Sequence, residues 1–154
     1  MPLVHIVLWK PEIPGNTGNV GRLAVGIGAH LHLVHPLGFS TAEKEVRRAG
    51  IDHWSLVDLT EHESPEAFWN WAQDRTVHCY TARAARPFTQ VEHKEGDVLV
   101  FGCESVGLPG EVLSGRGAWG IPMEGPVRSL NLANAVSVVA YEAVRQLRPA
   151  LFGS

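Results

Sequence analysis

Residues 3–28, LVHIVLWKPEIPGNTGNVGRLAVGIG, decide the fold because they contain one complete passage from a strand to a helix. Leu3 to Trp9 is a run of apolar residues that predicts a buried strand. The two prolines of the segment KPEIP end that strand. Asn16 or Thr17 is then predicted to cap a helix that runs to Ile27 and stops before a glycine.

The same alternation continues along the rest of the chain. Further strands are predicted at Leu31–Val34, His53–Val57, Val77–Thr81 and Val98–Phe101. Further helices are predicted from Ser40 to Arg48, from Ser64 to Asp74 and from Leu130 to Leu147. Strands that alternate with helices predict an α/β fold, with a mostly parallel sheet flanked by helices. Ligands of such sheets bind at the carboxyl ends of the strands, beside helix starts.

The composition favours a globular protein with a single domain at residues 1–154. The chain is 45% hydrophobic and 19% charged, the balance of a folded protein. No apolar stretch approaches the roughly 18 residues that cross a membrane, and the N-terminus lacks the features of a signal peptide. We therefore expect a cytoplasmic protein without a membrane partner. Cys79 and Cys103 are predicted to be free thiols, since neither belongs to a CxxC pair.

The formal net charge of −3 argues against a protein that covers nucleic acid by bulk charge. Any contact with RNA must come from a local basic surface. The candidates lie in or beside predicted loops: Lys44, Arg47, Arg48, Arg83, Arg86 and Arg128. Solvated surface charge explains each of them equally well.

The first cluster of unusual residues is PGNTGNVGR at 14–22. Its three glycines and two asparagines stand at a helix start, where exposed amides suit a phosphate or a polar ligand. Arg22 is close enough in the helix to reach back to the same place. A glycine-rich turn with a surface arginine is the alternative. The segment is neither a Walker loop nor a dinucleotide fingerprint.

Two more clusters follow along the chain. In LVFGCESVGLP at 99–109, a strand enters a tight glycine turn with one carboxylate, Glu104, which suits a loop around a flat ligand. A solvated glutamate in an ordinary turn is the alternative. In IPMEGPVRSLNLANAV at 121–136, a capping role explains Ser129 but not Asn131 and Asn134, since asparagine is a poor helix former. Polar residues that oppose local propensity indicate a site.

Together, these clusters resemble the motifs of the SPOUT-class RNA 2′-O-ribose methyltransferases. The resemblance covers nearly the whole chain and is closest to the wobble-position tRNA enzymes of the TrmL or YibK-like group. It rests on PEIP at 11–14, NTGN at 16–19, RRAG at 47–50, FGCE at 101–104, GLP at 107–109 and SLNLANAV at 129–136. Each motif alone is weak, but their order and the chain length make the set specific.

The resemblance implies a deep C-terminal trefoil knot that holds a bent S-adenosylmethionine, without a metal. The implied cofactor-binding residues are Tyr80, Gly102, Ile121, Ser129, Met123 and Leu130. The implied catalytic residues are Arg22, Asn16, Glu104, Ser129 and Asn131. The family works as a homodimer on tRNA, and the neighbouring subunit completes each active site.

The implied reaction is attack of a ribose 2′-oxygen on the sulfonium methyl, at the wobble cytidine or uridine. The family's arginine has been proposed as the general base, but a guanidinium normally keeps its proton. Arg22 is therefore either that base or a clamp on a phosphate. Gly15 and Ala133 depart from the family's usual proline and serine, so no hydroxyl at position 133 is essential. The alternatives are a sister enzyme for rRNA or another tRNA position, and a non-catalytic knotted RNA-binding module.

Three further patterns have plain interpretations. His30, His32 and His35 suggest a metal site, but ordinary strand-end or surface histidines are favoured, because only the first two share a strand face. Base stacking by the tryptophans at 54, 69, 71 and 119 is less favoured than core packing.

The first and last helices carry apolar residues on more than one face, which predicts a dimer contact. These residues are Leu23, Ala24, Ile27, Val138, Ala140, Tyr141 and Val144.

Overall fold

The computed structural model describes residues 1–41 and 51–153, except for the side chains of residues 51 and 52. The strands are β1 (Val4–Trp9), β2 (His30–Val34), β3 (Leu59–His62), β4 (Val77–Tyr80) and β5 (Asp97–Phe101). The α-helices are α1 (Pro14–Ile27), α2 (Pro65–Ala72), α3 (Gly110–Leu113) and α4 (Leu132–Leu147). Short 3-10 helices cover Ile51–Leu56, Phe88–Gln90 and Pro149–Phe152. The five strands are parallel and form a sheet in the order β3-β2-β1-β5-β4, which confirms the α/β fold.

The centre of the sheet is apolar because helices cover both of its faces. All residues of β1 and β5 are buried, and the two strands pair in parallel with Leu8 opposite Phe101. Helices α1 and α4 pack on one face, where Ala24 and Val139 are fully buried. Helix α2 and the short α3 cover the other face, where Phe68 is fully buried. Burial on both faces is the usual condition of a parallel sheet. Because all five strands run in the same direction, their carboxyl ends lie at one edge of the sheet.

The start of α1 differs from the prediction that Asn16 or Thr17 caps the helix. Pro14 occupies the first turn, and the N-cap residue is Ile13, which makes no side-chain cap hydrogen bond. Asn16 and Thr17 lie buried inside the helix. Proline suits the first turn because its fixed φ is helical and its missing N–H is not needed there. The predicted end at Ile27 is confirmed, since the following glycine is left-handed.

The start of α4 differs as well. Asn131 is the N-cap residue, and its Oδ1 accepts hydrogen bonds from the N–H groups of Ala133 at 2.9 Å and Asn134 at 3.4 Å. The prediction that Ser129 caps this helix is therefore wrong. An asparagine just before a helix satisfies amides that have no partner within it, which explains one of the two asparagines. The predicted apolar stripe of α4 faces the core.

The third predicted strand, His53–Val57, is wrong because Ile51–Leu56 forms a 3-10 helix. Trp54 packs there against α1, close enough that a Cβ on Gly21 would lie 2.7 Å from its ring. The strand at this edge is β3, whose sequence LTEH pairs with β2 through Leu31 opposite Leu59. Glu61 is exposed and the strand is short, so the sequence of β3 contains no apolar run from which a strand could be predicted.

The other predicted strands and the predicted helix at 64–74 are present, with small differences at their ends. Ser64 caps α2 by accepting from Ala67 N–H at 3.1 Å, although the helix ends at Ala72 and not at Asp74. Cys79 and Cys103 are free. No helix among the described residues is long and apolar enough to cross a membrane. The predicted helix at 40–48 extends beyond the described residues, and Lys44, Arg47, Arg48 and the motif at 47–50 lie outside them.

Histidines form a hydrogen-bonded chain across β1, β2 and β3. His5 Nδ1 lies 2.9 Å from His32 Nε2, and His32 Nδ1 lies 2.9 Å from His62 Nε2. Trp71 of α2 covers them, with its ring centre 4.4 Å from that of His32. Burial lowers the pKa of His32 to about 2 and that of His5 to about 4, so both imidazoles are neutral near pH 7. The prediction of a strand-end or surface residue is therefore wrong for His32.

Candidate active site

A cavity of about 420 Å³ lies at the carboxyl ends of β4 and β5. The start of α1, the loops after β4 and β5, and the segment 119–132 surround it. Its lining includes every predicted cofactor-binding residue and four of the predicted catalytic residues. These are Tyr80, Gly102, Ile121, Met123, Ser129 and Leu130, together with Asn16, Glu104 and Asn131. Their roles stay predictions, but the fold brings them to one place, as expected for a parallel sheet.

The loop after β5 folds back tightly on itself. The Gly107 N–H donates to the Cys103 carbonyl at 3.0 Å, and Gly107 has φ +69°, a left-handed conformation that favours glycine. A Cβ on Gly102 would lie 2.1 Å from the carbonyl carbon of Gly107 and 2.3 Å from the amide nitrogen of Leu108. These are backbone atoms, so only glycine fits at position 102. The cavity wall there consists of main chain.

Glu104 joins the loop after β5 to the start of α1. Its carboxylate accepts hydrogen bonds from the N–H groups of Glu12 at 2.8 Å and Ile13 at 2.9 Å, and from Asn16 Nδ2 at 3.2 Å. A carboxylate at a helix N-terminus is favourable because the amides there lack partners within the helix. Glu104 therefore holds the first loop and orients Asn16, which fits the predicted role of shaping the site.

Glu12 makes the reciprocal connection, which the sequence analysis missed. Its carboxylate accepts hydrogen bonds from the Ser105 N–H at 2.8 Å and the Ser105 hydroxyl at 3.0 Å. These hydrogen bonds lower the pKa of Glu12 below its ordinary value. Glu12 belongs to the PEIP motif at 11–14, which pointed to the position but not to its hydrogen bonds. Glu12 and Glu104 together fix the loops after β1 and β5 relative to each other.

Trp119 and Gly120 extend the edge of the sheet beyond β4, and the sequence analysis missed this contact too. The Trp119 N–H donates to the Cys79 carbonyl and its own carbonyl accepts from the Thr81 N–H, both at 3.0 Å. The Gly120 N–H donates to the Arg86 carbonyl at 2.8 Å. The chain therefore returns to the carboxyl end of β4 just before it enters α4. No motif in the segment signals such a long-range pairing.

Arg83 and Arg86, two predicted RNA contacts, are engaged within the chain. Arg83 Nη2 donates to the Leu108 carbonyl at 2.9 Å. The guanidinium of Arg86 lies 4.1 Å from the centre of the Trp119 ring. Both side chains thus link loops around the cavity, and contact with RNA stays a prediction for them and for the exposed Arg128. The tryptophans at 54, 69, 71 and 119 pack against the core, as predicted.

Arg22 is the one predicted catalytic residue that does not line the cavity. It lies in a second depression, the α1–α4 groove, lined by Asn16, Asn19, Arg22, Leu23, Gly26, Asn131, Ala133, Asn134, Ser137 and Tyr141. Arg22 is exposed, and it makes no hydrogen bond or ion pair with the described part of the chain. Asn16 and Asn131 line both the cavity and the groove. The two depressions are therefore neighbours that share a polar boundary.

Tyr80 contributes an apolar wall with one unsatisfied polar atom. Its ring stacks on Phe101 with 5.0 Å between ring centres. Its hydroxyl is buried and has no hydrogen-bond partner within the described residues. Burial raises the pKa of Tyr80 well above its ordinary value, so the phenol is a neutral donor. A buried hydroxyl without a partner is uncommon in native proteins and suits a ligand or water beside it.

Residues 3–141 match the model of the SpoU rRNA Methylase family. The tRNA (cytidine(34)-2′-O)-methyltransferase of Escherichia coli (strain K12) is 41% identical over 148 residues, and 94% of each chain is covered. An enzyme of the same name from Methylovorus glucosotrophus (strain SIP3-4) is 42% identical over 147 residues, with 94% of this chain and 96% of the relative covered.

Solved structures agree with these relatives. A structure described as giving structural insights into the 2-OH methylation of C/U34 on tRNA is 47% identical, with TM-score 0.92 and 99% of each chain covered. An AdoMet-bound rRNA methyltransferase from Sinorhizobium meliloti is 28% identical with TM-score 0.85, covering 94% of this chain and 56% of that one. The predicted resemblance is confirmed. The chain belongs to the SpoU rRNA Methylase family.

Proposed function

We propose that this protein transfers a methyl group from S-adenosylmethionine to the 2′-oxygen of the wobble ribose, C34 or U34, of tRNA. The observation that carries the proposal is the pairing of a main-chain cavity at the ends of β4 and β5 with a polar groove that holds Arg22. The cavity suits a methyl donor and the groove suits a nucleotide. The relatives named for this reaction match along nearly their whole length.

The cavity fits S-adenosylmethionine by volume and by lining. A volume of about 420 Å³ lies within the usual range of small-molecule sites, roughly 300–1,000 Å³. Ile121, Met123 and Leu130 supply apolar surface for a flat adenine, and the glycine loop at 102–107 supplies close main-chain groups. When bound, S-adenosylmethionine supplies a methyl already activated by its positive sulfur. The remaining tasks of the protein are to align the ribose and to accept its proton. No step of this scheme uses a metal.

Arg22 positions the RNA in this proposal. Its guanidinium is exposed in the groove and has no partner among the described residues, and it offers a planar fork of donors that matches a phosphate or a ribose oxygen. A clamp on the phosphate is favoured over a role as general base, because guanidinium groups keep their proton in proteins. Asn16 and Asn131 stand between Arg22 and the cavity, where they place the 2′-hydroxyl near the methyl donor.

In this proposal a homodimer completes the site, since Arg22 is not among the residues that line the cavity of its own chain. The predicted contact face on α1 and α4 needs one revision. Ala24, Ala140 and Val144 are buried in the chain's own core, so they are not free for a partner. Val138 and Tyr141 of α4 are 39% and 49% exposed and remain apolar contact residues. We propose that these helices meet a second copy, which brings its Arg22 to the cavity.

The segment 119–131 supports the proposed trefoil knot. It leaves the edge of the sheet beside β4, passes the loop after β5 and enters α4, which packs against α1 over the middle of the sheet. A chain end that returns across an earlier loop in this way is the arrangement that a knot requires. The same packing supports a single domain at residues 1–154. We also propose a cytoplasmic location, which is consistent with a tRNA substrate.

Binding is tested first, by calorimetry of S-adenosylmethionine and of its demethylated product with folded, metal-free protein. We expect both ligands to bind with one site per chain, because the cavity is already formed. Absence of binding by either ligand would refute the assignment of the cavity.

Turnover is tested by transfer of tritium from methyl-labelled S-adenosylmethionine to bulk tRNA and, separately, to ribosomal RNA. We expect label in tRNA: digestion to nucleosides should identify a 2′-O-methylated cytidine or uridine, and mapping of labelled oligonucleotide fragments should place it at position 34. Label in rRNA alone, or at another tRNA position, would indicate the sister enzyme. Cofactor and RNA binding without transfer would indicate the non-catalytic module.

A further inference from the structure

A second cluster of ionisable side chains lies beside the sheet, apart from the cavity. It consists of His78 on β4, His93 in the loop before β5 and Asp97, the first residue of β5. One nitrogen or oxygen from each side chain lies within 4.8 Å of the other two. Asp97 is four residues before Phe101 at the cavity, which is about 13 Å along an extended strand. The cluster is therefore separate from the proposed methyl-transfer site.

His93 is the unusual member of this cluster. It is only 7% exposed, and neither of its ring nitrogens has a hydrogen-bond partner within the described residues. Its ring contacts that of His78 edge to face, with 5.7 Å between ring centres. An imidazole buried without partners is costly, since it loses water and gains no hydrogen bond in return. A ligand at this nitrogen removes the cost.

The other two side chains form a prepared pair of donors. His78 Nε2 lies 2.9 Å from Asp97 Oδ2, and their side chains are 15% and 5% exposed. The Lys94 N–H also donates to Asp97 Oδ2 at 3.0 Å, which orients the carboxylate. The His93 N–H donates to Gln146 Oε1 at 2.8 Å, which anchors the loop to α4. Such outer contacts orient ligands in metal sites.

From this geometry we infer that His78, His93 and Asp97 bind one zinc ion. Zinc takes imidazole nitrogen and carboxylate oxygen at roughly 2.0–2.2 Å, which sets tetrahedral ligand atoms about 3.3 Å apart. The His78–Asp97 pair is already close to that spacing. The ligand atoms now lie within 4.8 Å of one another, so the ring of His93 must move closer to the pair, and it has no hydrogen bond to lose among the described residues. A water molecule takes the fourth position, and the ion ties β4, β5 and the loop before β5 together.

The histidine chain on β1, β2 and β3 shows why zinc belongs at this cluster and not there. Both ring nitrogens of His32 are already paired, with His5 and with His62 at 2.9 Å. A metal at His32 would have to break those hydrogen bonds inside the core. At the proposed site the ion replaces one hydrogen bond, that between His78 and Asp97, while the ring of His93 has no hydrogen bond to lose among the described residues.

The test uses zinc chloride and cobalt chloride with the full-length protein freed of metal by a chelator that is then dialysed away. We expect one zinc per chain by calorimetry. Cobalt should give the visible absorption of a four-coordinate site, and magnesium should not bind, because it prefers oxygen ligands. At zinc about 100 times its dissociation constant, the midpoint of thermal unfolding should rise by roughly 5–10 °C. Methyl transfer is not expected to need zinc.

Three variants locate the ion. His93→Leu and Asp97→Asn should weaken zinc affinity at least about 100-fold, since even outer-shell changes can cost that much. His35→Leu is the matched control, because His35 is partly exposed and its ring nitrogen pairs with Glu61 at 2.7 Å, away from the cluster. Without zinc, His93→Leu should be as stable as the parent, since it removes an unpartnered ring.

No zinc binding by the parent protein would overturn the inference. So would unchanged zinc affinity in His93→Leu and Asp97→Asn, since the ion would then bind elsewhere. If His93→Leu does not fold, the zinc affinity of Asp97→Asn alone tests the inference. The asparagine side chain has nearly the shape of aspartate and keeps an oxygen that accepts the hydrogen bond from the Lys94 N–H. These readouts do not depend on methyl transfer, so they stand or fall separately from the proposed function.

Discussion

The cavity and the α1–α4 groove lie side by side, yet only the cavity is closed by contacts of its own chain. Around the cavity, Glu104 alone accepts three hydrogen bonds, and Trp119 and Gly120 hold the loop after β4 through main-chain hydrogen bonds. In the groove, Asn19 and Arg22 are exposed and their side chains have no partner among the described residues. The difference fits the proposal that the cavity is a methyl-donor site formed in advance and that the groove is a substrate site completed by RNA and a second subunit.

The largest expected effect comes from breaking the cavity with Gly102→Ala. The added Cβ would overlap backbone atoms of Gly107 and Leu108, so the loop must open. We expect S-adenosylmethionine affinity to fall beyond detection by calorimetry, with methyl transfer lost as well. Overpacking of this kind also lowers the free energy of unfolding, by about 1–3 kcal/mol.

Gly110→Ala is the matched control for that variant. Position 110 lies eight residues further on, at the start of α3, and a Cβ there meets no atom within 4 Å. Cofactor affinity should therefore stay at the parent value. Normal cofactor binding by Gly102→Ala would show that the tight loop is not part of the donor site.

The next effect comes from the groove, through Arg22→Ala. Methyl transfer should fall about 100- to 1,000-fold, the usual loss when one positioned donor is removed from an active site. Cofactor affinity and thermal stability should not change, because Arg22 does not line the cavity and makes no hydrogen bond or ion pair with the described residues. Arg22→Lys should restore little, since lysine keeps the charge but loses the planar fork.

Arg148→Ala is the control for loss of a surface arginine. Arg148 pairs with Glu95 and lies outside the groove, so its loss should leave transfer unchanged. Turnover of Arg22→Ala near the parent rate would remove Arg22 from the mechanism. A parallel loss of cofactor affinity would instead show that the cavity and the groove are one site within a chain.

The same division explains which features the sequence predicts. The apolar runs of β1 and β5 and the stripe of α4 follow local periodicity, and they were predicted within two residues. The capping of α1 was not, because its acceptors come from Glu104, 91 residues away from Ile13. Strand β3 was missed because its edge position tolerates the polar sequence LTEH. The pairing of Trp119 with β4 depends on tertiary contact alone.

The candidate site divides in the same way. Its residues were predicted through motifs, and the fold gathers all of them except Arg22 around one cavity. The role of Glu12 was not predicted, because its carboxylate accepts a hydrogen bond from Ser105, which lies 93 residues away in the sequence. The spacing of the motifs along the chain could not predict that Arg22 lies in the groove and not in the cavity, because that depends on the three-dimensional fold.

A smaller effect is expected from the dimer face, through Tyr141→Asp. Tyr141 is 49% exposed and lines the groove, so a charge there would be buried unpaired between subunits. Sedimentation should show a dimer dissociation constant at least about 30-fold higher than that of the parent, since hot-spot losses reach about 2 kcal/mol and more. Transfer should fall at low enzyme concentration and recover at high concentration, while cofactor affinity is retained.

Leu56→Asp is the control, because Leu56 is 65% exposed and lies outside the groove. It should leave the mass in solution unchanged. A parent protein that sediments as a monomer at micromolar concentration with full activity would overturn the dimer, and with it the account of how Arg22 reaches a cavity.

The last effect in this series is a modest loss of stability at Asn131, which belongs to both depressions. Asn131→Ala removes the cap of α4 and should lower the free energy of unfolding by about 1 kcal/mol, a fall of roughly 2–4 °C in the unfolding midpoint. Asn131→Ser keeps a capping oxygen and should recover the midpoint. If Asn131 also contacts the ribose or the donor, methyl transfer stays low in Asn131→Ser although the cap is restored. Recovery of both midpoint and transfer would show that Asn131 acts only by capping, and that the boundary between cavity and groove is structural.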